Sequence, residues 1–90
     1  MVNRKSESKK TIFIVDDHPM TRFGIQELIH ADATLTIVGE SDNAEDTLEK
    51  VQKIKPDLLL VDLTLKGRSG LELIKDLRKV QPEIEILVFS

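Results

Sequence analysis

Two places in this chain put carboxylates directly after apolar runs. Thr11-Ile12-Phe13-Ile14-Val15 leads into Asp16-Asp17, and Leu58-Leu59-Leu60-Val61 leads into Asp62. The first run is β-branched and aromatic, which marks a strand. The second is apolar without interruption, as in a strand buried on both faces of a parallel sheet. Open α/β sheets bind ligands outside the carboxyl ends of their strands. Three carboxylates gathered there repel one another unless some are protonated or a cation neutralises them. A hard divalent cation with oxygen ligands resolves the conflict. Magnesium fits best, because it takes few carboxylates and keeps waters for a phosphate. Each feature alone is weak, since an Asp at a strand end is commonly a turn or cap residue.

The elements between these residues decide whether they meet. Asp16-Asp17-His18-Pro19 breaks the first strand, and proline suits the first turn of a helix. Ile25, Leu28 and Ile29, with Met20 and Phe23 nearby, carry that helix to about His30, and Gly24 offers close packing against the sheet. Leu35 to Glu40 is a second strand. Asp42 and Glu45 form an acidic variant of the capping box, and Ala44, Thr47, Leu48 and Val51 follow helical spacing. Lys55-Pro56-Asp57 closes that helix and launches the third strand. Ser69 and Glu72 cap a third helix with Leu73, Leu77 and Val80 on one face, and Ile84 to Phe89 is a fourth strand. Strict alternation of strand and helix predicts an α/β fold with a parallel, doubly wound sheet. Right-handed crossovers with one reversal give the order 2-1-3-4, which puts the switch point between strands 1 and 3 and all three carboxylates in one crevice.

Composition narrows the function classes. Ninety residues make one small domain, and 13 basic against 16 acidic residues leave a net charge of −3. That balance gives no sign of a nucleic-acid surface, and three aromatic residues, all Phe, make base-stacking platforms improbable. No cysteine is present, so disulfide and thiolate chemistry are absent, compatibly with a reducing cytoplasm. No apolar run reaches the roughly 20 residues of a membrane helix, and residues 1–10 read as a polar, flexible tail without a secretory signal's apolar core. The chain stops at the end of a strand with no helix after it. This predicts a fragment, a truncated product, or a protein that completes itself by dimerising or swapping a strand through the open edge.

Residues 11–90 resemble the receiver domain of bacterial two-component response regulators. Asp16-Asp17-His18-Pro19 and the run Leu60-Val61-Asp62-Leu63-Thr64-Leu65-Lys66-Gly67 resemble the class that carries a C-terminal helix-turn-helix output domain. The resemblance implies a flavodoxin-like sheet, incomplete here because the fifth strand and last helices are missing, and a cytoplasmic signalling module rather than an enzyme. It implies that Asp62 is the phosphoacceptor for a histidine kinase. Asp17 would bind magnesium directly, Asp16 mainly through water, and Asp62 and the backbone carbonyl of Thr64 would complete the protein ligands. Ser90 matches the family's switch hydroxyl. The family's site lysine lies at the end of a fifth strand, so no lysine of this chain is assigned that role. Lys66, which stands where a proline often precedes the glycine, lies in the wrong loop for it. A kinase contact through the first helix would use Met20 and Thr21.

The remaining candidates have plainer readings. His18 is expected to be a helix N-terminal residue facing solvent or the kinase rather than a metal ligand. His30 suits the helix dipole, and Lys75, Arg78 and Lys79 read as a solvated face. Three other function classes compete with the switch. An aspartate-nucleophile phosphatase normally has a second acid two residues on, where this chain has Thr64. A flavin or nucleotide module needs a phosphate loop after the first strand, where Asp16-Asp17 would repel phosphate. A truncated, non-signalling association fragment is the third.

Overall fold

The computed structural model describes residues 9–63, 65 and 70–89. Its elements alternate as β1 (Lys10–Val15), α1 (Pro19–His30), β2 (Leu35–Ser41), α2 (Ala44–Ile54), β3 (Leu58–Asp62), α3 (Gly70–Val80) and β4 (Glu85–Phe89). All pairings are parallel, in the order β2-β1-β3-β4. This is the order expected from the crossover rule, with β1 and β3 as central neighbours. No helix among the described residues is long and apolar enough to cross a membrane.

Alternation along the strands feeds two cores. Phe13, Val15, Leu59 and Val61 pack on one face with Ala44 and Val51 of α2 and Leu73 and Leu77 of α3. Ile12 and Ile14 point the other way, against Ile29 and Ile25 of α1. Both faces of β1 are therefore dry from Ile12 to Val15, which is why these four residues are all apolar. Each fully buried aliphatic or aromatic side chain here contributes on the order of 2 kcal/mol. One irregularity lies in the β1–β2 pairing, where Ile12 faces Ile37 but Phe13 faces Gly39. Val38 is the extra residue of this bulge. A Cβ on Gly39 would lie 2.7 Å from the Phe13 ring, so glycine there leaves room for the largest core side chain.

Several local expectations are corrected. β1 begins at Lys10 rather than Thr11, because the Lys10 amide donates to the Thr34 carbonyl and its ammonium pairs with Glu85 at 2.7 Å. Gly24 does not pack on the sheet, since nothing lies within 4 Å of its Cβ position. Leu28, Met20 and Phe23 face solvent, leaving Ile25 and Ile29 to seat α1. The cap of α2 is Asn43, whose side chain accepts from the Asp46 amide at 2.8 Å, while Asp42 accepts from the Asn43 side chain instead. Val80 is also half exposed, so α3 rests on Leu73 and Leu77. Arg78 is not a purely solvated charge, because it donates to the carbonyls of Pro82 and Ile84 and ties the end of α3 to the start of β4. The predicted Ser69 cap lies outside the described residues.

Two boundaries carry predictions. Lys55 ends α2 in the left-handed region at φ 55°, a conformation that costs an L side chain free energy and costs glycine little. Lys55→Gly is expected to stabilise the fold by about 0.5–1 kcal/mol, read as a raised urea midpoint at unchanged slope. At the start of β3, the Asp57 carboxylate accepts from both the amide and the hydroxyl of Thr11, joining the first turns of two neighbouring strands. Those hydrogen bonds, with Lys10 nearby, hold the Asp57 carboxyl below its ordinary pKa. A depressed carboxyl adds stability above its unfolded pKa, and that stability disappears as pH falls through the lower folded value. Asp57→Asn should therefore destabilise the protein at pH 7, and the difference from wild type should close in acid. Urea titrations at the two pH values check this.

Candidate functional site

The β1–β3 register builds the site. Val15 lies opposite Val61, so the next residue of each chain segment, Asp16 and Asp62, leaves the sheet side by side. The Asp16 amide donates to the Ser41 carbonyl of β2, and the Leu63 amide to the Phe89 carbonyl of β4. The site loops are thus tied to the strands on either side. Asp16 is fully buried and Asp62 is 4% exposed. Asp16, Asp17, His18 and Asp62 each offer a donor atom, and these atoms lie within 4.8 Å of one another. The three predicted carboxylates do converge. The Thr64 carbonyl and the Ser90 hydroxyl, also predicted as site groups, lie outside the described residues.

The turn after β1 is held from within. Asp16 Oδ1 accepts from the His18 amide at 2.9 Å, an Asx turn that leads directly into Pro19 and α1. Sequence reasoning missed Arg22. Its guanidinium reaches back one helical turn to donate to the Asp16 carbonyl at 2.6 Å, and its Nε pairs with Glu40 at 2.8 Å. Glu40 also accepts from Gln26 at 2.6 Å. These bonds tie α1 and β2 to the same turn. An arginine one turn into the helix that follows a strand-end carboxylate is the signal that could have been read.

His18 holds its expected place, but the direction of its ring was not foreseen. It stands at the N-terminal cap of α1, as expected, and is 58% exposed at the side chain. Yet its ring turns into the carboxylates. Nδ1 lies 3.0 Å from Asp16 Oδ1, 2.9 Å from Asp17 Oδ1 and 3.4 Å from Asp62 Oδ2. Electrostatics explains the pose, since a ring that can carry a proton relieves three neighbouring negative charges. The hydrogen bond to Asp16 and the charge of Asp17 hold the imidazole above its ordinary pKa, with Asp62 adding a smaller push, against the opposing effect of desolvation.

Comparison with known proteins places this geometry. Residues 12–90 match the response regulator receiver domain family. The chain belongs to that family. It is 40% identical over 85 residues to the nitrate/nitrite response regulator protein NarL of Escherichia coli K12, covering 94% of this chain and 39% of NarL. Against the response regulator GacA of Pseudomonas aeruginosa the identity is 36% over 79 residues, covering 88% and 37%. The receiver therefore spans about two-fifths of the length of these curated relatives. Among solved structures, a LuxR-family two-component response regulator from Aurantimonas superposes with TM-score 0.87 at 33% identity, covering 91% of this chain and 59% of the other. The non-phosphorylated receiver domain of the Escherichia coli stress response regulator RcsB superposes with TM-score 0.84 at 27% identity, covering 91% and 65%. The described residues of this chain form four parallel strands and three helices in the flavodoxin-like order of a receiver, a signalling module.

Proposed function

We propose that residues 11–90, preceded by a short N-terminal extension, form the phosphoryl-accepting part of a two-component transcriptional regulator, with Asp62 as the acceptor. The observation that carries this reading is the convergence of Asp16, Asp17 and Asp62 at the ends of adjacent strands. In the transfer, a carboxylate oxygen of Asp62 attacks the phosphorus of a kinase phosphohistidine. The P–O bond forms as the P–N bond breaks, and the electron pair leaves on the imidazole nitrogen, giving an acyl phosphate.

The donor set fits a magnesium ion, because it presents oxygens in a buried, acidic crevice and Asp16 Oδ2 is buried with no hydrogen-bond partner among the described residues. Asp17 and Asp62 would hold the ion, Asp16 would act mainly through water, and the Thr64 carbonyl would complete the set. When bound, the ion neutralises charge on the phosphoryl oxygens. The chain's own contribution is positioning. The Asx turn at Asp16 and the Arg22 clamp fix the acidic turn, and the β1–β3 register fixes Asp62 beside it. Ser90 would then report the modification by bonding a phosphoryl oxygen. A sensor histidine kinase would approach over the first turn of α1, where Met20 is 82% exposed.

The test is incubation with phosphoramidate and magnesium followed by intact mass. A gain of one phosphoryl group that disappears when the metal is chelated supports the reading, and no gain at any magnesium concentration overturns it.

A further inference from the structure

The end of β2 supplies none of the converging carboxylates, and β2 lies on the far side of β1 from β3. Yet Asp16 is held at three points, and two of them rest on β2. Its carboxylate accepts from the His18 amide within the turn. Its amide donates to the Ser41 carbonyl at 3.0 Å. Its carbonyl accepts from the Arg22 guanidinium at 2.6 Å. Arg22 is in turn held by Glu40, whose carboxylate takes Arg22 Nε on one oxygen at 2.8 Å and the Gln26 amide on the other at 2.6 Å. The peptide that carries the Asp16 carbonyl joins Asp16 to Asp17. That unit is planar, so fixing its oxygen fixes the directions in which both carboxylates leave the chain. Glu40 is anchored as well, since its carbonyl accepts from Lys50 of α2 at 3.3 Å and its backbone pairs with Ile14 of β1. The Glu40 side chain is 47% exposed, and an ion pair so open to water contributes little to stability. Orientation is what it can supply.

We propose that Glu40 is a positioning residue for the cation site. Acting through Arg22, it holds the peptide between Asp16 and Asp17 so that both carboxylates face Asp62. The inference rests on the reading that Asp16, Asp17 and Asp62 hold a magnesium ion, and adds a residue that touches neither the ion nor the phosphoryl group. Arginine suits the intermediate post, because its planar fork donates to a carbonyl and a carboxylate at once, whereas a lysine is a single point charge. Magnesium demands near-ideal octahedral geometry, so a turn that loses its hold loses the ion before it loses the fold. What Glu40 contributes is an acceptor oxygen rather than a charge. Glu40→Gln keeps an oxygen for Arg22 Nε, and the Gln26 amide can turn over to face the new NH2 group. Glu40→Ala keeps no acceptor.

The experiment compares the 90-residue wild type with Glu40→Ala and Glu40→Gln, each shown to be folded by its urea midpoint. Magnesium affinity is measured by calorimetry, and solvent exchange of the amides by NMR on the metal-free chain. Glu40→Ala is expected to weaken magnesium binding by about ten-fold, as loss of a group that orients a metal ligand commonly does, and Glu40→Gln to stay within about two-fold of wild type. Without metal, the His18 amide, bonded inside the turn, should exchange faster in Glu40→Ala and at the wild-type rate in Glu40→Gln. Equal loss of affinity in both variants overturns the proposal, because removal of the charge then suffices. Unchanged affinity in Glu40→Ala overturns it as well, because the pair is then only a surface contact. Should Glu40→Ala fail to fold, Arg22→Lys takes its place, with the same loss expected and wild-type affinity as the overturning result. Neither readout involves phosphoryl transfer. A wild type that binds no magnesium defeats the cation reading and this proposal with it, whereas the other adverse results defeat the proposal alone.

Discussion

Asp62→Asn is expected to abolish the phosphoryl adduct completely while leaving the fold intact. The side chain sits at the end of β3, 4% exposed, with its own backbone paired to Phe89 of β4 and the preceding Val61 paired to Val15 of β1. Asparagine has nearly the same shape, so packing changes little, but its amide has no anionic oxygen to attack phosphorus. Intact mass after phosphoramidate treatment should show the wild-type gain and none in the variant. A surviving adduct in Asp62→Asn would move the acceptor elsewhere. Asp17→Asn should behave differently, because it removes a metal ligand rather than the nucleophile. Its adduct should form about ten-fold more slowly or worse at fixed magnesium and recover in part as magnesium is raised. The pair of variants therefore separates the nucleophile from the cation site. An aspartate that served only to balance charge would give the Asp17 pattern at position 62.

Much of this arrangement was legible in the residues, and the parts that were not have physical causes. The order of the strands followed from the βαβ rhythm and the handedness of crossovers, and the order alone set Asp16 beside Asp62. Buried strands advertise themselves, as at Leu58–Val61, because no polar residue can be tolerated on either face. The surfaces of helices advertise less. Leu28 and Val80 have apolar side chains at helical spacing and yet face solvent, because the stripe of α1 or α3 that meets the sheet is only as wide as Ile25 and Ile29, or Leu73 and Leu77. Long polar side chains were the least legible. Arg22 and Arg78 each choose backbone carbonyls one turn or one loop away, a decision made by tertiary geometry that sequence spacing does not record. His18 is the instructive case. Its place at the head of α1 was predictable, but the direction of its ring depends on three carboxylates, one of them 44 positions later in the chain.

The second large effect is expected at Gly70, the first residue of α3. A Cβ there would lie 2.8 Å from the Leu63 Cα and 3.0 Å from the Asp62 carbonyl oxygen. Those are backbone atoms of the segment that leaves β3, so the clash cannot be relieved by rotating a side chain. The Gly70 amide also donates to the Leu63 carbonyl at 3.3 Å, closing the site loop onto the start of the helix. Gly70→Ala must push the helix away or shift the peptide that carries Asp62. Overpacking of this kind costs about 1–3 kcal/mol. Because a displacement near 1 Å at a reacting group can cost about 100-fold in rate, phosphorylation should fall by up to that factor in the fraction of protein that remains folded. Gly24→Ala is the matched comparison. It lies within α1 with nothing near its Cβ position, so alanine should stabilise the protein by roughly 0.5–1 kcal/mol and leave the adduct rate unchanged. Urea midpoints and the rate of adduct formation, measured on both variants, separate a loss of helix stability from a displaced acceptor. Equal adduct rates in the two variants would mean that the backbone around Asp62 tolerates the added methyl without moving the carboxylate.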